Sequence, residues 1–424
     1  MLSLPPGLAL ALSAFWLLWT LVVLANAALA FRPPRKGMLF LFGFFSSWLT
    51  VELAGHIIGA LVLSALIAAL LGLATTPIGL AALFVSALCV GLLALHLHAA
   101  QSARDVMRDL LKDRLPQQAA RPIPASKLLT PFSPSRREVH VDRDITFRRV
   151  AGRKLKLDVF QPTAPSKNGD LRPAIIQIHG GAWIIGDKSE QALPLLNHLA
   201  ANGWVGFNVN YRLSPAATWP EHLVDVKAAI AWVRENAEQY RIDPNFICVT
   251  GGSAGGHIAA VVALTQNDPR YQPGFEDADT SVHGAVPIYG VYDFTDRERL
   301  MGKFWRYRAL EPLIMKKFLD DDPQAFRDAS PIDLVRPDAP PMLIIHGTND
   351  VLAPLKYARV FADRLREVST SDVLYAEIIG AQHAFDVFGS PRCFHAVRGV
   401  ERYLTRLWED HRAADNTPPT GETP

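Results

Sequence analysis

Residues 245–266 read NFICVTGGSAGGHIAAVVALTQ, and the fold follows from how this stretch divides. NFICVT (245–250) is a short apolar run of the kind that forms a strand buried on both faces of a sheet. AGGHIAAVVALTQ (254–266) is helix-forming. Between them stands Gly251-Gly252-Ser253-Ala254-Gly255, a match to G-x-S-x-G. A serine on a sharp strand-to-helix turn holds its hydroxyl proud of the sheet, and small neighbours let the backbone make that turn. Ser253 is therefore the candidate nucleophile.

The flanking sequence supplies the sheet. VHVDRDITFRRV (139–150) alternates like a half-exposed strand, and KLKLDVFQP (154–162) does so again after a turn at Gly152. AIIQIHGG (174–181), GAVPIYGVYD (284–293), MLIIHGTND (342–350) and VLYAEIIGAQH (373–383) are further strand candidates. EHLVDVKAAIAWVRENAEQ (221–239) repeats apolar residues at helical spacing. Strands alternating with helices predict an α/β domain, a mostly parallel sheet covered on both faces.

A serine hydroxyl needs a base, and the base needs an acid that fixes its tautomer and stabilises its charged form. His383, in GAQHAF after the last strand candidate, fits the base. Asp350, in HGTND, lies between Ser253 and His383, giving the order serine, acid, histidine of the strand-to-helix-elbow enzymes. Asp293 ends the preceding strand and is the second choice of acid. Asp386 follows the histidine and breaks the order. His257, His346 and His395 read as structural, and the run Asp320-Asp321-Asp322 as a solvated loop. Oxyanion donors belong on the residue after the nucleophile and on a glycine-rich loop after an earlier strand. Those positions are Ala254 and His179-Gly180-Gly181-Ala182-Trp183.

HGGAW, YRLSP (211–215), GGSAGGH, HGTND and QHAF, in that order, resemble the α/β-hydrolase superfamily, in particular the esterase and lipase branch akin to hormone-sensitive lipase and bacterial carboxylesterases. The resemblance covers about residues 140–410. It implies an α/β-hydrolase fold with a cap insertion, ester hydrolysis through an acyl-enzyme, and no cofactor. It implies Ser253, Asp350 and His383 as the triad, and Gly181, Ala182 and Ala254 as oxyanion donors, with Gly180 shaping the loop. The hormone-sensitive-lipase pattern usually has a third glycine where Ala182-Trp183 stands and an acid where Gly252 stands. Relatives of this type also cleave formamides or remove acetyl groups, so an amidase or deacetylase with the same triad is the alternative activity. An inert hydrolase-like domain on a membrane scaffold is a third reading. The insertion after Asp293 includes FWRYRALEPLIMKKFL (304–319), which either holds an acyl chain or packs a cap onto the core.

The 424 residues carry a formal charge of only +2, and no basic cluster is interleaved with aromatics, which argues against a nucleic-acid partner. Cys89, Cys248 and Cys393 are too scattered for a disulfide framework or a metal site. Charge is distributed very unevenly. From Met1 to Ala100 the only charged side chains are Arg32, Arg35, Lys36 and Glu52. Residues 7–30 contain none and are long enough to cross a bilayer, which takes about 20 apolar helical residues. Residues 78–98 form another such span, and 38–73 is too long for one. The basic loop Arg32–Lys36 and the basic stretch Arg104, Arg108, Lys112, Arg114, Arg121 belong on one side of the membrane by the positive-inside rule. Spans near 50–73 and 78–98, with 38–49 at the interface, satisfy this and put the hydrolase domain in the cytoplasm. A hairpin within 38–73 would put it outside. Glu52 and His56 read as a helix end with its polar groups in water.

The expected organisation is thus an all-α transmembrane region (1–100), a basic proline-containing linker (101–138), the catalytic domain (139–412) and a disordered tail (413–424). The expected partners are a lipid bilayer and a small-molecule or lipid ester. The sequence leaves oligomeric state open.

Overall fold

The computed structural model describes residues 4–35, 40–114, 123, 125–132, 135–166 and 169–415. Four helices come first: α1 (Pro6–Leu29), α2 (Phe40–Glu52), α3 (Ala54–Leu70) and α4 (Pro77–Leu111). By length and composition α1 and α4 could each cross a membrane, and α2 with α3, bent by 79° at their junction, could make a third, broken span. The break falls at Leu53, so residues 40–52 form a separate helix from the rest of the 38–73 run. α4 has 35 residues, about 52 Å at 1.5 Å per residue, so it overshoots a hydrocarbon core of about 30 Å. Its last turns pack on the second domain: Ala103, Met107 and Leu111 are buried in one hydrophobic cluster with Val397, Val400 and Leu404.

The rest is built on one sheet of eight strands: β1 (Val139–Val150), β2 (Arg153–Pro162), β3 (Arg172–Ile178), β4 (Val205–Val209), β5 (Ile242–Gly252), β6 (Gly284–Ile288), β7 (Met342–Gly347) and β8 (Val373–Ile378). Their spatial order is β1-β2-β4-β3-β5-β6-β7-β8. β1, β2 and β4 pair antiparallel, and from β4 to β8 every pairing is parallel. Alternate residues of the parallel strands enter two different cores. Ile176, Val249 and Ile344 join one cluster, while Ile175, Cys248 and Leu343 join the other, as the two-residue period of a strand covered on both faces requires. The covering helices include α5 (Leu193–Ala201), α6 (Glu221–Glu235), α7 (Ala254–Leu264), α8 (Leu355–Val368) and α9 (Pro391–Asp415). This is the α/β-hydrolase architecture.

Some elements differ from expectation. No strand is expected at Val205–Val209, yet β4 stands there between β2 and β3, its apolar run interrupted by Gly206 and Asn208. β6 ends at Ile288, since Tyr289 turns the chain with φ +39°. α9 runs through Ala413 to Asp415, so the expected tail is helical at its start; residues 416–424 lie outside the described residues, as does much of the expected linker after Arg114.

Glu52 is not in water. Its carboxylate pairs with Arg392, at the start of α9, and accepts a hydrogen bond of 2.5 Å from Ser390 Oγ. The side chains of Arg392 and Glu52 are 1% and 0% exposed. His56, by contrast, is exposed. A carboxylate at the end of an apolar helix thus joins the N-terminal helices to the domain built on the sheet. Removing one partner of a buried pair leaves an uncompensated charge and costs about 3–5 kcal/mol, whereas an apolar pair of similar volume is often neutral. Glu52→Leu should therefore lower the thermal unfolding midpoint of the full-length protein in lipid nanodiscs well below that of the double variant Glu52→Leu/Arg392→Met. Equal midpoints for the two would contradict the pairing.

Candidate active site

Ser253 sits at the junction of β5 and α7 with φ +59° and ψ −120°, a conformation open to a side chain only where its neighbours enforce it. The glycines explain how. A Cβ at Gly255 would lie 2.0 Å from the Ile178 carbonyl oxygen, and one at Gly251 would lie 2.5 Å from Gly255 backbone. Both must be glycine for α7 to start hard against the ends of β3 and β5. The Ser253 amide donates to the Ile288 carbonyl at 3.0 Å, which fixes the turn to β6.

Asp350 and His383 come together although 33 residues separate them, because β7 and β8 are neighbours and end at the same edge. His383 Nδ1 lies 2.7 Å from Asp350 Oδ2. The other carboxylate oxygen accepts from the amides of Leu352 and Ala353, each at 2.8 Å. Burial pushes the Asp350 carboxyl up, but His383 and His346 outweigh it, and the group is held well below the ordinary carboxylate range. With Nδ1 engaged by a fixed carboxylate, Nε2 of His383 is the nitrogen left to act as base. Among the described residues the Ser253 hydroxyl makes no hydrogen bond, so the contact between serine and histidine is open in this structure. Such contacts often close only with substrate present.

The HGGAW loop lies against the serine. A Cβ at Gly180 would come within 2.7 Å of the Gly252 carbonyl oxygen and 3.0 Å of Ser253 Cβ. The Gly180 amide donates to Gln191 Oε1 at 2.7 Å, so this glycine, expected among the oxyanion residues, shapes the loop and has no amide to spare. Gly181, Ala182 and Trp183 all have positive φ, at +117°, +54° and +61°. That run of left-handed residues is strained for the two that carry a side chain. Among the described residues the amides of Gly181, Ala182 and Ala254 donate to no carbonyl.

The rival groups are occupied elsewhere. Asp293 accepts from Thr295 and from Arg297, whose Nε lies at 2.8 Å. His257 is buried, stacks on Phe294 and is pushed down to about 3 by burial. His346 Nε2 lies 3.0 Å from the Ala353 carbonyl and 3.3 Å from Asp350 Oδ2, the oxygen that His383 also contacts, and His395 contacts Gln101 of α4 at 2.9 Å. In the insertion, Leu310, Ile314 and Met315 are buried in the main core, which favours packing over holding an acyl chain. Asp243, His411 and Asp415 bring ligand atoms within 4.8 Å of one another, but at the other end of β5 from Ser253.

One pair at the site escaped the sequence reading. The Tyr289 hydroxyl donates to Asp386, and both side chains are buried. Burial is the main force pushing the Asp386 carboxyl up. A Cβ at Gly252 would lie 2.6 Å from this hydroxyl, and the tyrosine ring lies 4.6 Å from the His383 ring. Tyr289 thus fills the space beside Gly252 where the resemblance expects an acid, and its acidic partner arrives from the loop after His383. Only the bare GGS sequence could have hinted at this.

The BD-FAE family model matches residues 157–365. The probable carboxylic ester hydrolase LipM of Mycobacterium tuberculosis is 45% identical over 283 residues, 67% of this chain and 65% of that protein. Esterase LipQ of the same organism is 43% identical over 273 residues, 64% of this chain and 63% of that protein. The chain therefore spans somewhat under two thirds of the length of these relatives. Among solved structures, a thermophilic esterase of the Planctomycetes species Thermogutta terrifontis superposes with a TM-score of 0.52 at 25% identity, covering 68% of this chain and 96% of that one. The fold is that of the α/β-hydrolases, and the chain is similar to proteins named as esterases.

The tight fit of the loop on the serine yields a prediction. Gly180→Ala should lower kcat by at least about 100-fold, the scale of a lost oxyanion donor, because the methyl meets backbone that cannot yield. Steady-state ester kinetics on folded variant would check this; wild-type turnover would contradict it.

Proposed function

We propose that the chain is a membrane-anchored serine esterase that hydrolyses hydrophobic carboxylic esters through an acyl-enzyme. The observation that carries this reading is the 2.7 Å contact of His383 Nδ1 with the buried, ionised Asp350, on the sheet edge where the Ser253 turn opens. Ser253 Oγ attacks the ester carbonyl while His383 Nε2 takes its proton. The oxyanion is held by the amides of Gly181, Ala182 and Ala254. His383 then protonates the leaving alkoxide, and the acyl group stays on Ser253. Water, deprotonated by His383, attacks the acyl-enzyme and frees the acid and the serine.

The catalytic unit is assigned to residues 139–412 and the anchor to 1–100. The ester activity is supported by the relatives named above, and the anchor by the apolar helices α1 and α4. The basic residues on the 32–36 loop and after the last span support a multi-pass arrangement with the catalytic unit on the cytoplasmic side. The apolar surroundings support a poorly water-soluble substrate.

Esters and amides of matched acyl groups, graded in chain length, test the reading with full-length protein in lipid nanodiscs. Esters should turn over faster than their amides at every length, and Asp350→Asn should lower kcat by about 10³–10⁴-fold, as expected when the acid that orients a catalytic histidine is lost. Faster turnover of the amides would replace the esterase by an amidase on the same residues.

A further inference from the structure

α2 is not a passive part of the anchor. Phe44, Ser47, Trp48 and Glu52 recur at helical spacing on one face, and all four touch the loop that carries His383. Phe44 meets the His383 ring edge-on, with centroids 6.5 Å apart. Ser47 Oγ accepts from Gln382 Nε2 at 3.0 Å. Trp48 Nε1 donates to the Ala384 carbonyl at 2.9 Å, and its ring stacks on Phe388 at 4.7 Å. Glu52 closes the far end of the same loop at Ser390 and Arg392. The residues immediately before and after the histidine are therefore both held by one apolar helix.

Gln382 is the junction. Its Oε1 accepts from the amides of His383 and Val351, each at 2.9 Å. Its amide nitrogen is the group that Ser47 receives. One carboxamide, 1% exposed, thus ties the acid loop, the base loop and α2 together. The acid loop has a further tie to the anchor, since Asn349 Nδ2 donates to the Ala30 carbonyl beyond α1 at 3.2 Å. Phe42 and Leu49, on the face of α2 turned away from these contacts, are apolar and exposed.

We infer that Ser47 and Trp48 are positioning residues for His383, so that the hydrolase site is incomplete without α2 seated on it. The inference rests on the triad reading above. Ser47 acts by aiming the Gln382 carboxamide, and Trp48 by holding the Ala384 carbonyl. Either loss loosens the loop around His383, so that the ring is less often aimed at Ser253.

Ser47→Ala and Trp48→Phe, made in the full chain and assayed in lipid nanodiscs, test this. Each should lower kcat about tenfold, the scale of one oriented hydrogen bond, with KM little changed and the acid limb of the pH profile displaced. Ser47→Thr, which keeps the hydroxyl, should restore both kcat and the profile. Phe42→Leu, on the opposite face, should leave both as in wild type. Wild-type kcat and pH profile in Ser47→Ala and Trp48→Phe would overturn the inference, as would a loss that only follows the fraction of folded protein and that Ser47→Thr does not rescue. Turnover that survives in Ser253→Ala would instead overturn the triad reading beneath it.

Discussion

A serine at φ +59° between a buried strand and a buried helix is the constraint around which the rest of the site is arranged. It requires Gly251 and Gly255, whose absent side chains let α7 start against the carbonyl of Ile178. It requires β6 alongside, because the Ile288 carbonyl receives the Ser253 amide. It also leaves the first amide of α7, that of Ala254, beside the serine and without a carbonyl partner among the described residues. The parallel sheet then delivers the other two groups by register alone, since β7 and β8 end level with each other and place Asp350 and His383 on adjacent loops.

The sheet was legible because its signals are local, and the candidate triad was named from signals of the same kind. A buried parallel strand is a short apolar run, an elbow is five residues, and the acid and base follow strands that can be found independently. The residues that hold the triad in place were not legible, because each is one half of a pairing across the chain. Glu52 meets Arg392 across 340 residues, and Gln382 meets Ser47 across 335. A lone glutamate in an apolar run reads as a solvated helix end until the arginine is seen beside it. Tyr289 and Asp386 are hidden in the same way, since nothing near Gly252 in the sequence says that a tyrosine hydroxyl will occupy its empty side. β4 was missed for a different reason: in VGFNV, Gly206 and Asn208 interrupt the apolar run that marks a buried strand.

The N-terminal helices and the hydrolase domain are joined by buried polar contacts, which are costly to leave unmade and so favour one relative arrangement. The contacts lie at the loops that carry Asp350 and His383 and at α9. The same contacts tie the loops of Asp350 and His383 to helices that lie outside the eight-stranded sheet.

The most direct test of the central claim is the reaction of full-length protein in lipid nanodiscs with a fluorophosphonate, followed by peptide mass mapping. The account predicts a single adduct on the peptide that carries Ser253, absent from Ser253→Ala and formed more slowly in His383→Ala. Folded wild-type protein that forms no adduct, or a Ser253→Ala variant labelled to the same extent as wild type, would contradict it.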